Sequence, residues 1–165
     1  MTVEGLSLDP ATKTPIVVLR DADNKIALPI WIGLLEATAI ATELENIELV
    51  RPMTHDLLCS IIEQLQTTVE AVEVSDLKEN TFFATIHLKA GDREISIDSR
   101  PSDALALAIR AKCPIYVAKK VLEQSSILQQ QQEEEGQGQN LSNISPEKWA
   151  DILDKMTPDD FKYKM

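Results

Sequence analysis

Acids, arginines and a histidine gather at three places in this 165-residue chain, each in front of an apolar, helix-like run. DSRPSDALALAIR (98–110) crowds Asp98, Arg100, Ser102 and Asp103 before an alanine and leucine stretch. RPMTHDLL (51–58) sets Arg51, His55 and Asp56 before a second run, and LPIWIGLLEA sets Glu36 one turn into a third. A histidine beside an aspartate at a helix mouth can act as a general base or a metal ligand, because an imidazole exchanges its proton near neutral pH. A carboxylate held where a strand hands over to a helix, as at Glu36, stands where ligand sites often form.

Each residue also has a structural use. Glu36 and Asp56 suit the positive end of a helix dipole, an effect of about 0.3–1 kcal/mol. Pro101 fits the first helical position, and Asp103 meets free backbone N–H groups in the first turn. Asp98 and Arg100 are not explained by helix initiation. Alternation through REISIDS places Asp98 on the face of Ser96 and Arg100, opposite Ile95 and Ile97. The only two Arg-Pro pairs, which use two of the five arginines, both stand at entrances to apolar helices with an aspartate close behind.

The elements that must position these residues are legible from periodicity. VEGLSL, PIVVLRD and KIALPIWIG read as three strands separated by the turn-rich DPATKT and DADN, with Asp21 to Asn24 a hairpin loop. Leu34 to about Ile47 reads as a helix. THDLLCSIIEQLQT reads as a second, with Thr54 as N-cap and Leu57, Leu58, Ile61, Ile62 and Leu65 expected to face inward. VEAVEVSDL, TFFATIHLKA and REISIDS form a meander, PSDALALAIRAK a further helix, PIYVA a strand and KKVLEQS a short helix. The expected class is α/β of the α+β type: a largely antiparallel or mixed sheet wrapped by helices in one compact domain over residues 1–124, with a C-terminal helical tail.

Residues 125–144 are expected to form a flexible Gln/Glu-rich linker, because SSILQQQQEEEGQGQN has little apolar content to offset ordering entropy. In 145–165, Ser145, Pro146 and Glu147 start a helix whose Trp149, Ile152, Leu153 and Met156 make one apolar stripe. So short a helix needs the chain's own core or a partner to dock on.

Of the 27 acids and 16 bases, the last 41 residues hold eight acids and four lysines, leaving 19 acids against 12 bases before them. The globular part is itself acidic, which argues against passive electrostatic binding to nucleic acid, although bound cations can reverse a local field. No apolar run is long enough to cross a membrane and no signal-peptide pattern is present, so the expected compartment is the cytoplasm. Cys59 and Cys113 lack CxxC spacing and read as buried free thiols. Zinc-binding, Walker, dinucleotide-binding and serine-hydrolase motifs are absent.

LPIWIGLLEATAIATELE, RPMTHDLL and the run from TFFATIHL through IDSRPSDALALAIRAKCPIYVA closely resemble the bifunctional nuclease domain family, catalogued among bacterial domains of unknown function. The resemblance covers residues 1–124 in order and spacing. It implies a compact domain of largely antiparallel sheet and helices and, in plant relatives, a nuclease acting on DNA and RNA. The motif positions carried over are Glu36, Arg51, His55, Asp56, Asp98, Arg100, Ser102 and Asp103.

Two functions follow from those positions. In a metal-assisted nuclease, Asp98, Asp103 and Glu36 hold Mg²⁺ or Mn²⁺; His55, Asp56, Asp98 and Asp103 carry the chemistry; and Arg51, Arg100 and Ser102 bind nucleic acid. In a non-enzymatic binding or assembly module, the same acids and arginines neutralise one another at the helix mouths. Under either function a homo-oligomer is expected, with the C-terminal helix docked on the chain's own core or on a partner.

Overall fold

The computed structural model describes residues 1–126. The linker and C-terminal helix expected beyond them lie outside the described residues. Ser125 and Ser126 still belong to the last described helix, 119–126, two residues past the expected domain limit.

Seven strands form two sheets. In the first, β1 (Thr2–Leu8), β2 (Pro15–Arg20) and β3 (Ala27–Trp31) run antiparallel in that order. Asp21 closes the β2–β3 loop, its Oδ1 accepting from the backbone N–H groups of Lys25 and Ile26. The second sheet contains β4 (Thr68–Lys78), β5 (Thr81–Ala90), β6 (Arg93–Ser99) and β7 (Ile115–Val117) in the order β6-β5-β4-β7. The meander β4-β5-β6 is antiparallel, and β7 adds to β4 in parallel, making this sheet mixed. Glu79 and Asn80 turn β4 into β5, both with positive φ, as a two-residue hairpin of right-twisted strands requires.

Between Trp31 and Thr68 lie α1 (Leu34–Leu44) and α2 (Thr54–Gln64), and β6 leads into α3 (Pro101–Ala111). Ala104, Leu105, Ala106, Leu107 and Ala108 are all fully buried. A helix apolar on every side has to be covered on every side. α1, α2, β4 and β5 supply that cover, with Ala37, Ala39 and Ala41 of α1 also buried. Small side chains on both helices permit close approach. One contiguous core therefore joins Val17, Leu19, Leu28 and Ile30 of the first sheet to Val72, Val74, Ala84 and Ile86 of the second.

Two expectations for α2 are corrected. Its N-cap is Met53, not Thr54, and the capping acceptor is Asp56, whose Oδ2 takes the Met53 N–H at 2.7 Å. Its apolar stripe does not face inward: Leu57, Leu58, Ile61 and Leu65 are exposed, and only Ile62 is buried. The helix is rotated so that His55, Cys59 and Ile62, spaced i, i+4 and i+7, lie toward the interior. That rotation brings His55 to the site described next.

Candidate functional site at three helix mouths

Each of the three helices starts at the same region of the molecule. Gly33, the second of the two residues that link β3 to α1, caps the helix, which sets Glu36 in the first turn. Arg100 caps α3 directly after β6, with Pro101 at the first helical position and Asp103 in the first turn. His55 and Asp56 occupy the first turn of α2. The positive ends of three helix dipoles therefore surround these side chains and favour negative charge among them.

Four of the residues anticipated from sequence form one connected chain. The Arg100 guanidinium forks, with Nη1 donating to Glu36 Oε1 and Nε donating to Asp103 Oδ2, both at 2.8 Å. The other Asp103 oxygen, Oδ1, lies 3.3 Å from His55 Nε2. Glu36, only 13% exposed, is the deepest acid of the set, whereas Arg100 is largely exposed. The Asp103 carboxylate, followed by that of Glu36, pushes the arginine's pKa above its already high ordinary value. Arg100 is a fixed cation joining two acids from different helices.

Ser102 joins this group by position. It is buried, lines the cleft beside Arg100 and makes no side-chain hydrogen bond among the described residues. The cleft encloses about 270 Å³ between the β3–α1 junction and the β4–β5 turn. Trp31 and Phe82 form apolar parts of its wall, and Glu36, Arg100, Ser102, Asn80 and Thr81 are its polar residues.

The other anticipated residues go elsewhere. Asp56 turns away from the chain of four to Arg110, whose Nε donates to Asp56 Oδ1 at 2.5 Å. The Arg110 hydrogen bond, then the Met53 N–H, holds the Asp56 carboxyl below the ordinary aspartate value. Arg51 is exposed and makes no ion pair among the described residues. Asp98 is exposed on edge strand β6 opposite Thr85, apart from the chain of four and without a side-chain bond among the described residues. A shared strand face with Ser96 did not carry it to Arg100, because the chain turns into α3 at that point.

Arg110 was not anticipated from sequence. It lies seven residues after Asp103, two helical turns along the same face of α3, and that spacing is the signal that marked it. Gly33 was also overlooked. A Cβ at this position would overlap Glu36 Oε2. Its φ of −74° and ψ of 162° suit any residue, so Gly33→Ala is expected to fold normally while displacing Glu36 from Arg100. The check is the Arg100 side-chain N–H resonances, which should shift with little change in melting temperature; unchanged resonances would contradict this placement.

The donors do not fit a resident divalent ion as they stand. No group of three histidine, cysteine, aspartate or glutamate side chains among the described residues could hold one. Glu36 and Asp103 are bridged by a guanidinium, and Asp98 lies outside the group. What the arrangement can do is bind an anion: a largely exposed arginine, held by two acids, stands at the edge of a cleft beside an unpartnered hydroxyl.

Residues 17–130 match the family model described as the bifunctional nuclease domain. An uncharacterized protein of Mycobacterium tuberculosis is 39% identical over 160 residues, covering 97% of this chain and 96% of its own length. Bifunctional nuclease 2 of Arabidopsis thaliana is 29% identical over 112 residues, which are 66% of this chain and 34% of that protein. Bifunctional nuclease 1 of Oryza sativa subsp. japonica is 28% identical over 116 residues, 68% of this chain and 35% of that protein. The chain thus spans about a third of the length of these plant relatives. No helix among the described residues is long and apolar enough to cross a membrane.

Proposed function

Because the chain belongs to the bifunctional nuclease domain family, we propose that it hydrolyses phosphodiester bonds in DNA and RNA, using the cleft at the three helix mouths. The observation that carries this reading is the Arg100 fork, whose largely exposed guanidinium lines a cleft that also holds Glu36 and Ser102. Arg100 binds the phosphate oxygens and offsets the charge that grows on them as the bond to the leaving oxygen breaks. Glu36 Oε2, which makes no hydrogen bond among the described residues, takes a proton from the attacking water. Asp103 fixes the guanidinium, and His55, one step behind the cleft, fixes Asp103. His55 is therefore a positioning residue or proton relay and not the direct base.

The Mg²⁺ or Mn²⁺ expected from sequence has no prepared cage here, so no step above passes through it. Highly purified protein assayed on single-stranded DNA, duplex DNA and RNA, with and without EDTA, tests the proposal. Glu36→Gln should lower kcat by a factor on the order of 10²–10⁴, the usual contribution of a general base. His55→Ala should cost less. Cleavage that survives EDTA assigns the chemistry to Glu36 and Arg100. Cleavage lost to EDTA and restored by Mg²⁺ or Mn²⁺ means that a divalent ion takes part and overturns a reaction carried by Glu36 and Arg100 alone.

A specific observation favours a second reading, a binding or assembly module: the acids and arginines at these mouths already satisfy one another. Under that reading purified wild type cleaves nothing, and Glu36→Gln changes stability alone.

A further inference from the structure

The proposed chemistry uses the polar end of the cleft and leaves Trp31 and Phe82 without a role. Trp31 ends β3 and is 43% exposed, a large apolar side chain kept partly in water at the cleft wall. It is also anchored. Its Nε1–H donates to Asp9 Oδ2 at 3.1 Å, and Asp9 is itself fixed in the β1–β2 turn by the N–H groups of Ala11 and Thr12 on its other oxygen. An indole tethered at its polar edge offers contact area with little rotamer freedom left to lose on binding. Across the cleft, strand alternation separates Phe82 from Phe83. Phe82 lines the cavity, whereas Phe83 is exposed with Lys78 over its ring.

The cleft also offers a polar contact beside Arg100. Ser102, 6% exposed, presents a hydroxyl to the cleft with no hydrogen-bond partner among the described residues. Unlike the sealed, unpaired hydroxyl of Ser7, Ser102 Oγ still reaches solvent, so an occupant of the cleft can take the place of water as its partner.

We infer that the cleft is a subsite for one unpaired nucleotide, its base against Trp31 and Phe82 and its phosphate on Arg100 and Ser102. This rests on the nuclease reading for the identity of the ligand. Size supports a single unit, since about 270 Å³ lies just below the usual range of roughly 300–1,000 Å³ for small-molecule sites. Charge supports it as well. A chain of net charge −11 gains little from tracking a phosphate backbone, so contacts to the base have to carry the binding. Duplex bases are stacked out of reach and enter such a cavity only after flipping, which selects single strands.

Trp31 is one of two tryptophans, so a full-length Trp149→Phe protein isolates its emission. Titration with a fluorescein-free phosphorothioate oligothymidylate, which resists hydrolysis, is expected to quench Trp31. The same duplexed strand is expected to leave it unchanged. Trp31→Ala should weaken single-strand binding, read by anisotropy of a labelled strand, by about tenfold or more, the scale of one base–aromatic stack. Trp31→Phe should recover most of that loss, which guards against a folding defect in the alanine variant. The salt dependence should be shallow, with a log–log slope of about −0.7, as for one phosphate on a single strand.

Single-strand affinity that is the same in Trp31→Ala, or equal affinity for duplex, overturns the subsite while leaving cleavage by wild type, and hence the nuclease reading, intact. A wild type that neither binds nor cleaves any nucleic acid overturns both.

Discussion

Arg100→Met is expected to lower kcat/KM on single-stranded DNA and RNA by about 100-fold or more, the scale seen when one preorganised stabiliser of transition-state charge is removed. Its effect on stability should be far smaller. The Arg100 side chain is 60% exposed, so solvent already screens its two ion pairs, and each contributes at most about 1 kcal/mol. The disproportion is the diagnostic. An arginine retained to neutralise Glu36 and Asp103 would change the melting temperature and leave nothing else to measure. Arg100→Lys should recover only part of the activity. An ammonium keeps the charge but cannot donate to Glu36 and Asp103 in one plane while presenting a further N–H to phosphate. Near-wild-type cleavage by Arg100→Met would sink the proposed mechanism. The assay needs initial rates over a range of substrate concentration and a parallel thermal melt.

Most of the fold was legible in the chain. Alternation in REISIDS and TFFATIHL, the turn residues between VEGLSL and PIVVLRD, and the Pro101 start of α3 each fix a local choice that tertiary contacts did not reverse. The facing of α2 was not legible. Periodicity shows that Leu57, Leu58, Ile61 and Leu65 share a side, but it cannot say which side the rest of the molecule will cover. Burying Ala104 to Ala108 of α3 on all sides drew in the neighbouring face that carries Cys59 and Ile62. That face also carries His55, so the same packing choice exposed the leucines and delivered the histidine to Asp103.

The site was half legible for a related reason. Glu36, Arg100 and Asp103 could be picked out because each is charged at a helix mouth, and three mouths converge. Partner choice could not. The echo between the two Arg-Pro pairs suggested Arg51 for Asp56, yet the irregular stretch before α2 leaves Arg51 in solvent, and Arg110 reaches Asp56 from α3. Asp98 belongs to an edge strand whose outer face meets water, which no count along the sequence reveals. Trp31 went unremarked because an aromatic in a strand reads as core until its exposure is known.

Arg110→Met is expected to produce the largest loss of stability of any single change at these helix mouths. The Arg110 side chain is 5% exposed and binds Asp56, lies 3.8 Å from Glu43 and donates to the Ala106 carbonyl at 3.0 Å. Breaking a buried ion pair by removing one partner costs about 3–5 kcal/mol. Asp56 is itself about a third exposed, which reduces the expected loss to about 2–3 kcal/mol at pH 7, with partial solvation compensating. Its pH dependence has a definite sign. Folding lowers the Asp56 pKa below its ordinary 3.8, chiefly through Arg110 and next through the Met53 N–H. A depressed carboxyl contributes its full stability above the unfolded value and loses it as pH falls toward the folded one. The gap between wild type and Arg110→Met should therefore be constant near neutrality and narrow as pH drops below about 4. Urea unfolding across pH 3–7 measures it. A double-mutant cycle with Asp56→Asn separates this pair from the packing of the Arg110 stem. Coupling near zero, or a gap independent of pH, would show that Arg110 acts through packing alone. If the coupling is present, α2 is held at its first turn by this pair, and Arg110→Met should also loosen His55 from Asp103, lowering cleavage beyond what the loss of folded protein explains.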